Sequence, residues 1–118
     1  MKIREVATLL TADVFIGEKQ LDSEVDHAFS SDLMSDVLAN SGRVDAKAVL
    51  LTGLSNYQVI RTAEMLDIRV VIFVRGKMPT EDMLELAMDN DMVILRTHLT
   101  MYNASGVLFS HGLLGIQD

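Results

Sequence analysis

Three continuous apolar runs, Ala48-Val49-Leu50-Leu51, Val70-Val71-Ile72-Phe73-Val74 and Met92-Val93-Ile94-Leu95, dominate the second half of the chain. Leu50, Ile72 and Ile94 stand 22 residues apart each time. Each run has strand length and lacks the apolar–polar alternation of a sheet with one wet face, so each predicts a strand buried on both sides. Helical patterns lie between them: Val59, Ile60, Ala63 and Leu66, then Met83, Leu84 and Ala87. Ser55 with Gln58 has capping-box spacing. Pro79-Thr80 is followed by Glu81 and Asp82, acids that suit the positive end of a helix dipole. Strands and helices in this order predict a parallel βαβαβ unit with right-handed crossovers and helices on both faces. Two crossovers are too few for a solenoid. The expected fold class is α/β, three-layer, with a mainly parallel sheet.

The first half is less regular. Ile3, Val6, Ala7 and Leu10 share one helical face and predict a helix over 2–10. A short strand from Val14 to Ile16 stops at Gly17, and a polar turn runs from Glu18 to Ser23. Val25, His27 and Phe29 alternate with polar or small neighbours, the period of a half-buried strand. Ser30-Ser31-Asp32 ends that strand and offers capping side chains to a short helix carrying Leu33, Met34, Val37 and Leu38. Asn40-Ser41-Gly42 breaks it. Leu99 to Ala104 predicts one or two helical turns, and Val107-Leu108-Phe109 an edge strand or a packed tail. The segment 105–118, with Leu113-Leu114-Gly115-Ile116, is apolar for a terminus. It is expected to form a subunit contact in a homodimer.

Length and composition narrow the function classes. With 118 residues and 49% hydrophobic side chains, the chain is expected to form one domain with its own core. It has no cysteine, which excludes thiol catalysis, iron–sulfur clusters and zinc–thiolate sites. A net charge of −7 without a Lys/Arg cluster argues against nucleic acid as a partner. No apolar run reaches the roughly 18 residues of a membrane span, and Met1-Lys2-Ile3-Arg4-Glu5 lacks the apolar core of a signal peptide. A cytoplasmic address without membrane contact is expected. Eight methionines suit an adaptable core or interface.

Candidate site residues follow from the expected topology, because open parallel sheets bind ligands beyond the carboxyl ends of their strands. The loops there contain Thr52-Gly53-Leu54-Ser55-Asn56, Arg75-Gly76-Lys77 and Arg96-Thr97-His98-Leu99-Thr100. Gly53 and Gly76 would admit backbone close to a ligand, Ser55 would sit at a helix N-terminus, and Arg75 and Lys77 would supply positive charge to a phosphate, carboxylate or nucleotide. The loop after the first apolar run lacks the Walker A spacing, and the dinucleotide fingerprint G-x-G-x-x-G is absent. His27, His98 and His111 have no second ligand at metal-site spacing, so no metal site and no cofactor are expected. A hydrolase or transferase using Ser31, Asp32 and His98 is the catalytic alternative, unsupported by a G-x-S-x-G elbow. The acids Glu81, Asp82, Glu85, Asp89 and Asp91 read as a solvated helix face, or else as a docking surface for a basic partner.

Four stretches resemble the DRTGG domain family, which is related to the N-terminal domains of HPr kinase/phosphorylase and of Mur ligases. They are Lys2-Ile3-Arg4-Glu5-Val6-Ala7, Phe29-Ser30-Ser31-Asp32-Leu33-Met34-Ser35, Leu51-Thr52-Gly53 with its following helix, and Val70 to Gly76. The resemblance covers about residues 2–100, its order and spacing carrying the match. At the eponymous residues this chain differs, with Asn56-Tyr57 for Asp-Arg and Val74-Arg75-Gly76 for Thr-Gly-Gly. The resemblance implies the fold of the HPr kinase N-terminal domain. It also implies a non-catalytic regulatory module, dimeric, that binds an adenine nucleotide or another anion. By position it adds Ser30, Ser31 and Asp32 to the ligand edge. A docking subunit for a redox or phosphotransfer enzyme is the other role such a module could fill.

Overall fold

Burial on both faces is what the apolar runs require, and a computed structural model, which describes residues 1–117, meets it with three central strands. They are β3 (Ala48–Thr52), β4 (Val70–Phe73) and β5 (Val93–Arg96), and every residue of β3 and β4 is buried. Two further strands, β1 (Asp13–Ile16) and β2 (His27–Ser30), complete a sheet of order β1-β5-β4-β3-β2. β2, β3, β4 and β5 run parallel, and β1 lies antiparallel on β5. Arg96 secures that edge: its Nη2 reaches Asp13 Oδ2 at 2.7 Å and its guanidinium lies 5.4 Å over the Phe15 ring.

The helices form the outer layers. α2 (Met34–Ala39), α3 (Tyr57–Met65) and α4 (Glu81–Asp89) bury Val37, Ile60, Ala63 and Met83 against Leu50, Val71, Phe73 and Ile94. α1 (Ile3–Leu9) and α5 (Met101–Ser110) bury Val6 and Leu108 against Val49, Leu51, Ile72 and Leu95. The fold is therefore three-layer α/β with a mainly parallel sheet, as the sequence predicts. Among the described residues, no helix is long and apolar enough to cross a membrane.

The ladder register differs from the even sequence spacing. Val49 pairs with Val70 and Val70 with Val93, steps of 21 and 23 residues. Leu50 and Ile94 therefore face α2–α4, while Ile72 faces α1 and α5. A strand buried on both faces carries no inside–outside signal to fix its phase.

Other local expectations are corrected. α2 has Leu33 as its N-cap residue and no side-chain cap, so Ser30-Ser31-Asp32 does not cap it. α3 is capped by Asn56, whose side chain accepts from Val59 N–H at 3.3 Å; Ser55 donates instead to Met78 O at 2.6 Å. Thr80 caps α4, accepting from Met83 N–H. The polar turn at 18–23 holds a 3₁₀ turn, Glu18–Gln20. Val107-Leu108-Phe109 is the last part of α5, which is longer than the expected one or two turns. After it the tail packs on its own chain: Leu113 is buried, Ala28 N–H donates to Leu114 O at 2.9 Å, and Gly115 bridges Ala28. Phe109 and Leu114 remain exposed. Arg4 Nε lies 3.1 Å from Asp22 on the open surface, and that guanidinium holds the carboxyl below its usual range.

Helix ends follow one pattern. α1, α3, α4 and α5 each stop at a residue with positive φ: Thr11 (50°), Asp67 (62°), Asp91 (53°) and Gly112 (101°). The next N–H returns five residues, from Ala12 to Ala7 O, Ile68 to Ala63 O, Met92 to Ala87 O and Leu113 to Leu108 O. These are Schellman closures, in which glycine carries no Cβ penalty. Asp67 and Asp91 carry that penalty and also place acid at the negative end of a helix dipole. Asp67→Gly and Asp91→Gly are each expected to stabilise the fold by about 0.5–1 kcal/mol, read as a rise in the urea midpoint.

Candidate functional site

Parallel pairing puts the last residues of four strands, Ser30, Thr52, Phe73 and Arg96, along one edge of the sheet. The order β2-β3-β4-β5 follows the chain without reversal. No switch point therefore splays neighbouring loops apart, and this edge is a row of touching loops rather than a crevice. Backbone bonds extend the ladders into the loops: Ser31 N–H to Leu51 O, Val74 N–H to Thr52 O and Thr97 N–H to Phe73 O.

Asp32, Gly53 and Arg75 meet at the centre of this edge. Gly53 N–H donates to Asp32 Oδ1 at 2.6 Å, and Thr52 Oγ1 donates to the same oxygen at 3.4 Å. Arg75 Nη1 lies 3.6 Å from Asp32 Oδ2, and Arg75 Nη2 donates to Gly53 O at 3.3 Å. A β-carbon on Gly53 would stand 2.7 Å from Arg75 Cζ, so the guanidinium fills the space a side chain would take. Both charged side chains are about half exposed, at 46% each. Water screens such a pair, so it positions the two groups more than it stabilises the fold.

Arg75 is held in an unfavourable backbone conformation. Arg75 and Gly76 both have positive φ, 58° and 68°, at the centre of a turn closed by Lys77 N–H to Val74 O at 3.2 Å. A non-glycine residue rarely adopts that region unless its surroundings over-determine it. Here two bonds do so, from Arg75 N–H to Leu99 O at 2.8 Å and from Gly76 N–H to Thr97 O at 2.9 Å. Thr97, fully buried, secures the receiving loop: its Oγ1 donates to Leu10 O at 2.8 Å and accepts from Leu99 N–H at 3.2 Å. A β-carbon on Gly76 would stand 2.8 Å from His98 Nδ1, so that ring packs where Gly76 has no side chain.

The structure thus brings Asp32, Thr52, Gly53 and Arg75 into one hydrogen-bonded group, with Gly76 and His98 in contact beside it. Lys77, in the same turn, is exposed. Ser30 turns toward α5 and bonds Ser105 Oγ at 2.7 Å. Ser31 Oγ accepts from Leu33 N–H at 3.0 Å. Ser55 and Asn56 are engaged in holding the Met78 segment and capping α3. Among the described residues, no hydrogen bond joins Ser31 or Asp32 to His98, so a nucleophile–base pair is not assembled there. Both glycines make room for a side chain of this chain, and the N–H groups of Gly53, Leu54, Arg75 and Gly76 all have internal acceptors. An anion at this edge would therefore be met by side chains, Arg75, Lys77 and His98, rather than by a nest of free amides. Thr97 and Leu99 lie in a loop that the sequence places at this edge, but they carry no charge, and their role in positioning Arg75 follows from no motif.

No protein-family model and no curated protein sequence matches the chain. Among solved structures it is similar to the CBS and DRTGG domains of the regulatory region of Clostridium perfringens pyrophosphatase, a structure complexed with its activator, diadenosine tetraphosphate. The TM-score is 0.70 at 14% sequence identity, covering 91% of this chain and 45% of that one. This chain thus spans less than half the length of that one. The likeness at this identity is one of architecture, and the chain has a DRTGG-like α/β fold.

Proposed function

We propose that the chain is a non-catalytic regulatory module that binds a small anionic ligand of the adenine-nucleotide class at the carboxyl edge of its parallel strands. The observation that carries this reading is the Arg75 turn. A basic residue held at positive φ by two bonds from a neighbouring loop is backbone strain of the kind that collects at ligand clamps. Lys77 and His98 stand beside it, in a chain whose net charge is −7. The similar fold crystallised with diadenosine tetraphosphate supports the choice of ligand class.

Isothermal titration with diadenosine tetraphosphate, ATP, AMP and inorganic phosphate tests the proposal. Binding of at least one nucleotide is expected, weakened about 10- to 100-fold by Arg75→Ala, the range for loss of a charge-assisted hydrogen bond. Lys77→Ala should lower affinity less and chiefly at low salt. Absence of heat with every ligand, or equal affinity in Arg75→Ala, would overturn it.

A further inference from the structure

We propose that Asp26, His27 and Asp45 form a binding site for a divalent transition-metal ion. His27 Nε2 and the Asp45 carboxylate would be the ligands, and Asp26 the residue that orients the ring. The site lies at the amino ends of β2 and β3, the opposite end of the sheet from Arg75, so it stands or falls independently of the nucleotide reading.

His27 opens β2, and its side chain is only 15% exposed. Its Nδ1 lies 2.5 Å from Asp26 Oδ1. An ionised carboxylate has no proton to give, so Nδ1 is the donor, and in the neutral ring Nε2 keeps its lone pair. That Nε2 is buried and, among the described residues, has no hydrogen-bond partner. A buried acceptor without a donor is costly, and an orphan in this position needs a physical explanation. A carboxylate bonded to one ring nitrogen while the other is left bare is the arrangement that orients histidine toward a metal.

Asp45 supplies the second ligand from a fixed position. Lys47 N–H donates to Asp45 Oδ1 at 2.8 Å, closing a short turn that holds the carboxylate before β3 begins. The same oxygen lies 3.9 Å from His27 Nε2, beyond hydrogen-bond reach. Two atoms each about 2.1 Å from one ion would stand 3.9 Å apart at an opening angle of about 136°, and a side-chain shift of about half an ångström brings this to tetrahedral. The ligand atoms of all three residues lie within 4.8 Å of one another. A cleft of about 580 Å³ opens beside them, with Gly42 and Gly115 in its wall, leaving room for water ligands. Arg43 also lines it. One imidazole nitrogen with carboxylate oxygen and water is a donor set for Zn²⁺, Co²⁺ or Ni²⁺ rather than for Ca²⁺ or Mg²⁺.

The test is titration of the full chain, stripped with chelator, using Zn²⁺ followed by calorimetry and Co²⁺ followed by its visible absorption. Saturable binding of a single ion is expected, lost in His27→Gln and weakened about tenfold in Asp26→Asn. Glu85→Gln with Asp89→Asn, on the acidic α4 face, should leave it unchanged. Equal Zn²⁺ affinity in His27→Gln would overturn the proposal, since the ion would then rest on surface acid. Nitrogen-15 spectra of the wild-type histidine rings keep the test independent of variant folding. Zn²⁺ should shift the His27 Nε2 resonance first, and a His27 ring that is doubly protonated and indifferent to Zn²⁺ would also overturn it.

Discussion

Gly17→Ala is expected to cost the fold about 3 kcal/mol or more, a large part of the stability of a domain this size. Gly17 follows β1 with φ of 99°, a conformation L side chains rarely adopt. A β-carbon there would stand 2.7 Å from Val93 Cγ2, 2.9 Å from Val93 Cα and 3.1 Å from Met92 O. Two of these atoms are backbone, and Val93 is tied into the ladder opposite Val70. Neither side can yield without breaking pairing in β5. Gly106, inside α5, is the contrast, because a β-carbon there meets nothing within 4 Å. Gly106→Ala should stabilise by about 0.5–1 kcal/mol. Urea unfolding of the two variants should therefore move the midpoint in opposite directions with similar slopes. A Gly17→Ala protein as stable as wild type would mean that the β1 turn does not lie against β5 as described.

Thr97→Val should destabilise by about 2–3 kcal/mol, since a near-isosteric change leaves one buried backbone group, Leu10 O, and one part-buried group, Leu99 N–H, without the threonine hydroxyl. Its second effect bears on the site. The loop that Thr97 secures supplies both carbonyls that hold the Arg75 turn. Amide exchange at Arg75 and Gly76 should accelerate in Thr97→Val beyond the change in global stability. Thr97→Ser keeps the hydroxyl and should restore protection. Exchange at those two amides that rises only with global unfolding would break the link between α1, this loop and Arg75.

What could be read without coordinates was governed by the range of the interaction. The buried strands, the intervening helices and the loops at their carboxyl ends are local patterns, and they stand where expected. The phase of Ile72 was not legible, because Val70 to Val74 is apolar at every position and marks neither face. Val107-Leu108-Phe109 has strand-like composition. It is helix because Ala104 and Leu108, four residues apart, bury on one face. Ser55 and Gln58 have the spacing of a cap, but Ser55 finds Met78 O across the loops and Asn56 takes the role. Gly53 and Gly76 were recognisable as special positions. Their reason, room for Arg75 and His98, depends on residues 22 positions further along. The Asp32 bond to Gly53 spans 21 positions and follows no motif, and Asp45 lies outside any ligand spacing that His27 would suggest.

The short tail after α5 has a colloidal consequence. β2 is the last strand on its side of the sheet, and an open strand edge is a template on which another chain can add. Ala28 N–H is already taken by Leu114 O, and Gly115 lies alongside in parallel. The chain thereby covers its own sheet edge at Ala28 with two residues, near the exposed Phe109. A strand adding to β2 at Ala28 would first have to displace Leu114 and Gly115, residues more than 80 positions further along the chain.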